Sequence, residues 1–464
     1  WGRRARDPPR ADRRDRTDPP SRGGSGRSGP WRARATAMTR SAALWHRTRT
    51  VVGGVTAGVV LLVLGAVAGR ADVAVLGVAP LLAGVWDWRR RPTEPVEVTV
   101  ARPHGSAGEL TAVAEVVTTG PAAVLTVRHG GRAVVQALVR TDGRREVPVV
   151  VRTVRTGPQD VAVVDAQGVG PGGASVSEPT DPTSREVLVL PDTRPLRELP
   201  LPPRLRGLTG AHESRRPGEG GGLRDVHPLA PGDRLRRIDW RVTARRAPDL
   251  HELYVRREHA LAEAVAVLVV DSRDDVGPDP LTWRGETAPR SQDVTSLDLA
   301  RVAAASVAEH LVGAGDRVGL DDLGVHRRPL PPGGGRRQLD RIRHALALTR
   351  PEGEPSLRLR PPQLPSGAIV YVFSTFLDDQ AAHVAAQWRR GGHRVVGVDV
   401  LPTLHDRHLG PREELALQIV RIAREDRLAA LADADVEVVT WRDAPEVALA
   451  GLARRGRRRA GAAR

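Results

Sequence analysis

The sequence of 464 residues contains neither cysteine nor lysine. Without cysteine there is no disulfide bridge, no thiolate metal ligand and no cysteine nucleophile. Without lysine there is neither the lysine of an ATP-binding P-loop nor a Schiff-base lysine, so we do not expect the chain to be an ATPase itself. All 71 basic residues are arginines, a bias that we attribute to a GC-rich genome rather than to function.

The formal net charge of +16 lies almost entirely at the two ends of the chain. Residues 1–37 hold eleven Arg and four Asp, a net of +7, and residues 451–464 hold six Arg and no acid, a net of +6. The 413 residues between them carry a net of only +3. This distribution argues against specific nucleic-acid recognition and favours attraction of the tails to anionic lipid.

Both ends of the chain are predicted to be tails. Residues 1–37 are rich in Arg, Pro, Gly and Ser and have almost no aliphatic side chains, which predicts disorder. The chain begins with Trp1, and its only methionine is Met38. We therefore hypothesise that Met38 is the true start, and a real tail is the alternative. Residues 456–464 form a second basic tail.

Residues 38–92 predict a membrane anchor. Residues 51–69 have Thr56 as their only polar side chain, and at 1.5 Å per residue they would span about 28 Å, close to a hydrocarbon core of about 30 Å. A second apolar run comes next, so the spans at about 51–69 and 71–86 predict a two-helix transmembrane hairpin. Arginines flank both ends, which places the soluble domains in the cytoplasm. A cleaved signal peptide is the alternative, but the second run argues against release.

Residues 93–194 favour an antiparallel β-sandwich close to the membrane. Short β-branched runs recur, among them the strictly alternating residues 96–100, and pairs of turn residues separate them at the spacing typical of sandwiches. The pair Asp142-Gly143 predicts a hairpin turn. Catalytic residue types do not cluster in this segment, so its predicted role is that of a spacer or packing module.

Residues 195–263 are predicted to be a Pro- and Gly-rich connector that carries a dense run of charge. The run is residues 231–246, PGDRLRRIDWRVTARR. Its opening Pro-Gly-Asp has the composition of a turn, because proline presets φ, glycine permits positive φ and aspartate caps the next segment.

The next part of the run, from Arg237 to Trp240, alternates charged and apolar residues, which predicts a half-buried strand or edge. Asp239 could accept bidentate bonds from neighbouring guanidinium groups. Two interpretations stay open. The run is either a structural Arg/Asp network beneath a buried tryptophan, or a recognition surface for a partner or an anion.

From residue 264 to 455 the pattern is that of a doubly wound, Rossmann-type α/β domain. Continuous apolar strands alternate with amphipathic helices, which favours an open parallel sheet covered on both faces. Ligands in such sheets bind at the carboxyl ends of strands, where Asp271, Ser374 and Thr375 are expected. The predicted strands are 264–270, 317–320, 368–373, 394–400 and 436–440. The predicted helices are 297–312, 336–349, 379–390, 412–432 and 445–455.

The order of these features resembles one family. PGD, then R-x-I-D-W, then A-R, then an apolar strand that ends in Asp271, is similar to the pattern of the domain of unknown function 58 family. The resemblance implies a von Willebrand factor A-like (vWA-like) domain in a membrane-anchored, MoxR-associated protein of the actinobacterial type. It also implies that the partner is a MoxR-type AAA+ ATPase. The residues of the family surface would be Asp233, Arg237, Asp239, Trp240 and Arg245.

The same resemblance raises the question of a magnesium site. vWA-like domains often hold a divalent cation through D-x-S-x-S after the first strand, and hard oxygen ligands suit Mg²⁺. Here Arg273 replaces the first serine and Asp275 the second, so Asp271 and Asp275 are the remaining candidate ligands. An arginine at this place would compete electrostatically with a cation. The alternative is that Asp271 makes only loop hydrogen bonds.

Together these features predict a membrane-anchored cytoplasmic scaffold rather than an enzyme. No residue is assigned to catalysis or to a cofactor, and the partner is expected to be a protein. Two other classes stay open. One is a metal-dependent enzyme acting at Asp271, and the other is a binder of nucleic acid or anionic lipid that works through the arginine tails and would show steep salt dependence.

Overall fold

The computed structural model describes residues 45–462, except 91, 107, 130–132, 208–209, 286–288, 291, 326–327 and 353–362. The predicted tail at residues 1–37, the proposed start at Met38 and the last two residues of the C-terminal tail lie outside this described part of the chain.

The described chain begins with a short strand, β1 (Trp45–Arg47), and two long helices, α1 (Arg49–Val67) and α2 (Ala71–Arg89). Helix α1 is, by length and composition, long and apolar enough to cross a membrane. It is the one such helix found among the described residues, so a second membrane span at 71–86 stays a prediction.

Glycines bring α1 and α2 into close contact. A Cβ atom added to Gly65 would lie 2.4 Å from the backbone nitrogen of Ala74, and one added to Gly77 would lie 2.4 Å from the carbonyl oxygen of Gly58. Such contacts leave no room for larger side chains, as in helix pairs that associate within membranes. Large apolar side chains on both helices stay exposed, including Val67 at 84% and Leu76 at 67%.

Two antiparallel sheets come next. One has the order β1-β9-β8-β5-β6 with β10 also paired to β8, and the other has the order β2-β4-β3 with β7 also paired to β4. A single core, which includes Trp45, Leu110, Leu125 and Val164, lies between them. The strands are β2 (Glu97–Val100), β3 (His104–Ser106), β4 (Gly108–Thr118), β5 (Ala122–His129), β6 (Ala133–Arg140), β7 (Gly143–Thr153), β8 (Gly157–Val169), β9 (Ser175–Ser177) and β10 (Thr183–Val189).

The predicted hairpin at Asp142-Gly143 is wrong. Strand β6 before it pairs with β5, whereas β7 after it pairs with β4 in the other sheet. The Asp-Gly pair therefore carries the chain from one sheet to the other. A local turn signal cannot tell which strands will pair.

The predicted connector forms a long antiparallel ribbon of β11 (His212–Pro228) and β12 (Tyr254–Ala262). Several register shifts along β11 accommodate its Pro- and Gly-rich sequence. Gly218 is required there, because an added Cβ would lie 2.3 Å from the Cβ of Ala260. Between the two strands lie a 3-10 helix, Leu235–Arg237, and a short helix, α3 (Trp240–Arg246).

The last part of the chain is an α/β domain. Its sheet has the order β15-β14-β13-β16-β17-β18 and is parallel except for β15, an antiparallel edge strand that the sequence did not predict. The elements are β13 (Val265–Val270), α4 (Ser296–Gly313), β14 (Arg317–Asp322), β15 (Leu330–Gly333), α5 (Arg336–Leu348), β16 (Ile369–Ser374), α6 (Asp379–Arg390), β17 (Arg394–Asp399), α7 (Pro411–Asp433), β18 (Glu437–Thr440) and α8 (Pro445–Ala462).

Helices cover both faces of this sheet. Along β13, Ala266, Leu268 and Val270 pack in one core with residues of α4, α5 and α8. The side chains of β13 that point to the other face of the sheet, among them Val267, pack in a second core with residues of α6 and α7. Because successive side chains of a strand point to opposite faces, an uninterrupted apolar strand is what a sheet buried on both sides requires.

A buried ion network, here called the domain junction, joins the β-sandwich to the α/β domain. Asp298 in the first turn of α4 accepts hydrogen bonds from the backbone nitrogen and the hydroxyl of Thr156, both at 2.7 Å. Its other oxygen lies 2.6 Å from Nε of Arg155. Arg301 donates to the carbonyl of Thr156 at 2.7 Å. Asp298 and Arg301 are only 1% and 4% exposed.

Candidate functional site

The carboxyl ends of the central strands bring the predicted rim residues together. Asp271 follows β13, and its backbone nitrogen donates to the carbonyl of Phe373 in β16 at 2.9 Å. The Ser374 hydroxyl donates to Oδ2 of Asp271 at 2.7 Å, and the Thr375 hydroxyl donates to Asp274 at 3.1 Å. The expectation that Asp271, Ser374 and Thr375 lie at one edge of the sheet is confirmed. We call this edge the sheet rim.

A guanidinium group lies at the centre of the sheet rim. Arg273 donates from Nε to Oδ1 of Asp271 and from Nη2 to Oδ2, both at 2.7 Å. Its Nη1 lies 2.6 Å from Asp378 and donates to Gln380 at 2.8 Å. Burial would lower the pKa of Arg273, but its hydrogen bonds and charge contacts with the two aspartates raise it above the usual value. Arg273 is therefore a permanent cation with its side chain only 4% exposed.

These contacts do not fit a magnesium ion. Arg273 bonds both carboxylate oxygens of Asp271. The second candidate ligand, Asp275, belongs to the domain junction, where it accepts from Arg155 at 3.1 Å and from the backbone nitrogen of Leu297 at 3.3 Å. Asp271 and Asp275 thus have different partners and do not act as one ligand set. Within the described ranges, no group of three or more His, Asp or Glu side chains could hold a metal ion.

Asp274 is a carboxyl at the sheet rim with a strongly raised pKa. Burial and the neighbouring charge of Asp271 raise the pKa of Asp274 to about 7, and the hydrogen bond from Thr375 offsets part of this. A carboxyl in this position is close to half protonated at neutral pH. The sheet rim therefore carries less negative charge than its number of aspartates indicates.

The run at residues 231–246 begins with the predicted turn. Gly232 has a φ of 95°, and the backbone nitrogen of Asp233 donates to the carbonyl of Ala230 at 3.0 Å. The Asp233 carboxylate accepts from the backbone nitrogen of Ala230 at 3.0 Å and from Arg257 of β12 at 3.2 Å. The first of these bonds and then the guanidinium of Arg257 lower the pKa of Asp233. Asp233 thus ties the turn to the ribbon.

The strand or edge predicted at Arg237–Trp240 is reduced to one antiparallel bridge, between Ile238 and Val255 of β12. Asp239 is the N-cap of α3, and its Oδ1 accepts from the backbone nitrogens of Arg241 and Val242 at 3.1 and 3.0 Å rather than from guanidinium groups. Arg237 donates instead to the carbonyl of Gly218 in β11 at 3.1 Å. Aspartate is a favoured N-cap, so capping chemistry rather than the alternation of residue types decides the local structure.

Helix α3 lies on β12 through small residues. The backbone nitrogen of Tyr254 donates to the Thr243 hydroxyl at 3.0 Å, and Thr243 and Ala247 are fully buried. The guanidinium of Arg246 lies 5.4 Å from the centre of the Tyr254 ring. These contacts turn the first residue of α3 outward, so Trp240 is 62% exposed rather than buried as the structural interpretation expected.

Two leucines that the sequence did not single out lie on either side of Trp240 along the chain. Leu235 is 68% exposed and Leu250 is 58% exposed. Leu250 has a φ of 55°, a strained conformation for a bulky residue. Arg245 on α3 is also exposed. Leu235, Trp240, Arg245 and Leu250 are thus all exposed within one short stretch of the chain, and we call this set of exposed residues the Trp240 surface. Asp233, Arg237 and Asp239 brace it from within.

The fold and the two sites define a class: a multidomain protein with antiparallel sheets and an α/β domain whose parallel sheet ends in an arginine-neutralised rim. Residues 225–409 match the sequence profile of a family described as protein of unknown function DUF58. The match includes the Trp240 surface and the sheet rim, and it supports the resemblance read from the motif. No curated protein matches the chain.

Proposed function

We propose that this protein is a membrane-anchored cytoplasmic scaffold that binds a protein partner through the Trp240 surface. The observation that carries the proposal is the exposure of Leu235, Trp240 and Leu250 on one short segment whose backbone is held in place by hydrogen bonds. Tryptophan and arginine are the residues most enriched in the energetic centres of protein interfaces. Single exposed apolar residues need no explanation, but a group with a tryptophan and an arginine indicates a docking surface.

The bracing makes the surface ready to bind. Asp239 caps α3, Asp233 bonds Arg257, and Arg237 bonds the backbone of β11, so the segment is ordered before a partner arrives. A preorganised surface loses less conformational entropy on binding. The strained backbone of Leu250 fits the same role, because strain of this kind persists where the surroundings impose it and is concentrated at functional sites.

Membrane anchoring is supported by the first helix and by its surroundings. Helix α1 is apolar and long enough, and both α1 and α2 expose apolar side chains. Near the end of α2, Trp86 is 61% exposed and the guanidinium of Arg90 lies 4.2 Å from the centre of its ring. Tryptophan and arginine are typical of membrane interfaces, and arginines at both ends favour a cytoplasmic location for the later domains.

The α/β domain is proposed to be vWA-like, with a rim that works without a metal ion. In this proposal Arg273 takes the place of the cation, so partner binding does not depend on Mg²⁺. The family resemblance supplies the candidate partner, a MoxR-type AAA+ ATPase. The proposal assigns no catalytic residue, and its metal-dependent alternative is disfavoured by the contacts of Asp271.

The test is affinity capture from native membranes, with the full chain in detergent, in three conditions: without additions, with Mg²⁺ alone and with Mg²⁺-ATP. We expect an AAA+ ATPase to be retained by the parent protein and by Leu138→Ser, and to be lost from Trp240→Ser. Leu138 is the matched control because it is an apolar residue of the β-sandwich that is 71% exposed.

Three outcomes would count against the proposal. Equal capture by Trp240→Ser and by the parent would mean that the docking surface lies elsewhere. If no ATPase were captured in any nucleotide state, the assignment of the partner would be wrong. If the partner were captured with Mg²⁺ alone but not without it, the proposal that partner binding needs no metal ion at the rim would be wrong.

A further inference from the structure

Helix α7 exposes an apolar stripe that the α/β fold does not use. Leu415 is 59%, Ile419 is 61% and Ile422 is 52% exposed. Their separations of four and three residues place them on one face of the helix. This stripe lies beyond the matched residues 225–409, and the Trp240 surface is on a different element.

The opposite face of α7 holds the helix in place. Leu417 and Leu431 are buried against the domain. Arg424 donates to the carbonyl of Thr375 at 2.8 Å and lies 2.5 Å from the carboxylate of Asp399. Arg427 bonds Asp379. Because these contacts fix the rotation of α7, the apolar stripe must face away from its own domain.

Charged residues continue the stripe at both ends. Arg412 and Asp426 lie seven residues before and after Ile419, so the three residues fall nearly on one line along the helix surface. Both charged side chains are exposed, and neither has an ion-pair partner among the residues that the structure describes. Along this line the surface is positive, then apolar, then negative.

We propose that the stripe, defined by Arg412, Leu415, Ile419, Ile422 and Asp426, is the interface between two copies of this chain. The two α7 helices pack antiparallel about a two-fold axis at Ile419. This arrangement places Arg412 of each copy beside Asp426 of the other and Leu415 near Ile422. A parallel pair would instead place like charges together, so the charge pattern selects the antiparallel arrangement.

One helix pair buries less area than the roughly 1,200 Å² of a standard stable interface, so the dimer is expected to be weak in dilute solution. The exposed leucine and isoleucines supply most of its free energy, and the two ion pairs set its direction. Two chains anchored in the same membrane would have a high effective concentration, which strengthens such contacts.

The absence of cysteine allows a direct test with the full chain in detergent or in vesicles. In Ile419→Cys, the introduced thiols would face each other across the two-fold axis. We expect mild oxidation to link this variant into dimers of twice the chain mass. Val447→Cys is the matched control, because Val447 is an apolar residue of α8 that is 69% exposed, and it should stay monomeric.

Charge exchange tests the direction. In the Ile419→Cys chain, Arg412→Asp or Asp426→Arg alone should lower the yield of dimer about fivefold, because each puts two like-charged pairs into the interface. The double exchange should restore the yield, and a mixture of the two single variants should form mixed dimers. Melting curves check that each variant is folded.

The proposal would be overturned by a double exchange that fails to restore linkage, by linkage of Val447→Cys as strong as that of Ile419→Cys, or by linkage to a protein of another mass. A parallel pair, which would overturn the antiparallel arrangement, has its own signature. In a parallel pair, the Ile419→Cys chain with Arg412→Asp would form linked dimers in the same yield as the Ile419→Cys chain alone, because each would have two like-charged pairs. The highest yield would come from a mixture of these two chains, in which the introduced aspartate of one copy would lie beside Arg412 of the other.

Discussion

The sheet rim and the domain junction both pair arginine with aspartate, but the pairs have different roles. At the rim, Arg273 joins Asp271 and Asp378 within neighbouring loops of one domain. At the junction, Asp298 of α4 bonds Arg155 and Thr156, which belong to the β-sandwich. The first arrangement neutralises a site and the second holds two domains together. An Arg/Asp network is therefore informative only when the elements that supply its members are known.

The largest expected effect is at the domain junction. Asp298→Ala removes the carboxylate that serves Arg155, Arg301 and Thr156, and it leaves two partly or fully buried guanidinium groups without their shared partner. Breaking a buried pair in this way costs about 3–5 kcal/mol. We expect a matching fall in the free energy of unfolding, measured by urea denaturation.

Glu186→Ala, on an exposed part of β10, is the control for that substitution and should stay within about 0.5 kcal/mol of the parent. If Asp298→Ala were equally mild, the junction would not hold the domains together, and the contrast with the rim would disappear.

The next effect is pH dependence at the rim. The folded-state pKa of Asp274 is about 7, above its ordinary value of 3.8. Between these values the folded protein binds more protons than the unfolded chain, so this carboxyl makes stability fall as pH rises from about 4 to about 7. Asp274→Asn keeps the acceptor for Thr375 and removes the charge.

The stabilisation by Asp274→Asn should be close to zero near pH 4, grow up to neutral pH and then level off. The shift of about three pH units, at 1.36 kcal/mol each, sets an upper value of about 4 kcal/mol. Unfolding curves at several pH values measure it. A constant difference across this range would show that Asp274 does not titrate as described.

Arg273→Ser tests whether the guanidinium stands in for a cation. The change leaves Asp271, Asp378 and the Ser374 hydroxyl around a vacated space, a set of oxygen ligands that suits a hydrated Mg²⁺ or Mn²⁺. We expect about 1–3 kcal/mol of destabilisation without metal and partial recovery with millimolar Mn²⁺. The parent protein should show no such recovery. Calorimetric titration with Mn²⁺ measures binding directly, and binding by the parent would contradict the prediction.

The smallest expected effect on stability distinguishes a residue that holds the motif in place from a residue that is exposed on it. Asp239→Ala removes the N-cap of α3 and should cost about 1 kcal/mol. Trp240→Ser changes an exposed side chain and should stay within about 0.5 kcal/mol. Thermal melts compare the two. A large loss for Trp240→Ser would mean that the tryptophan holds the ribbon together rather than serving a partner.

Much of the α/β domain was predictable, because its strands are continuous apolar runs that can be buried only between two layers of helices. Strand β16 (Ile369–Ser374) and helix α6 (Asp379–Arg390) lie within about one residue of their predicted bounds. Strand β15 was missed, since its sequence, LPPG, has low strand propensity and is held by its neighbour β14.

The sites were harder to predict, because they depend on contacts between distant segments. The sequence placed Asp271 at the rim and identified Arg273 as a rival to a cation. It could not show that Asp275 would turn toward Arg155, which is 120 residues away. Likewise, the local sequence does not determine which face of α3 is buried. Trp240 was therefore expected to be buried in one interpretation and exposed in the other.

The strand that precedes α1 ties this helix to the folded sandwich. Trp45 lies ahead of the helices, is 4% exposed in the sandwich core and donates from its indole to the carbonyl of Glu94 at 2.9 Å. Its strand β1 pairs with β9, more than a hundred residues later. A protease that released the chain after α1 would thus also remove an edge strand and a core side chain. The folded sandwich therefore depends on the uncut chain ahead of α1, and α1 cannot be cut away without the loss of part of that fold.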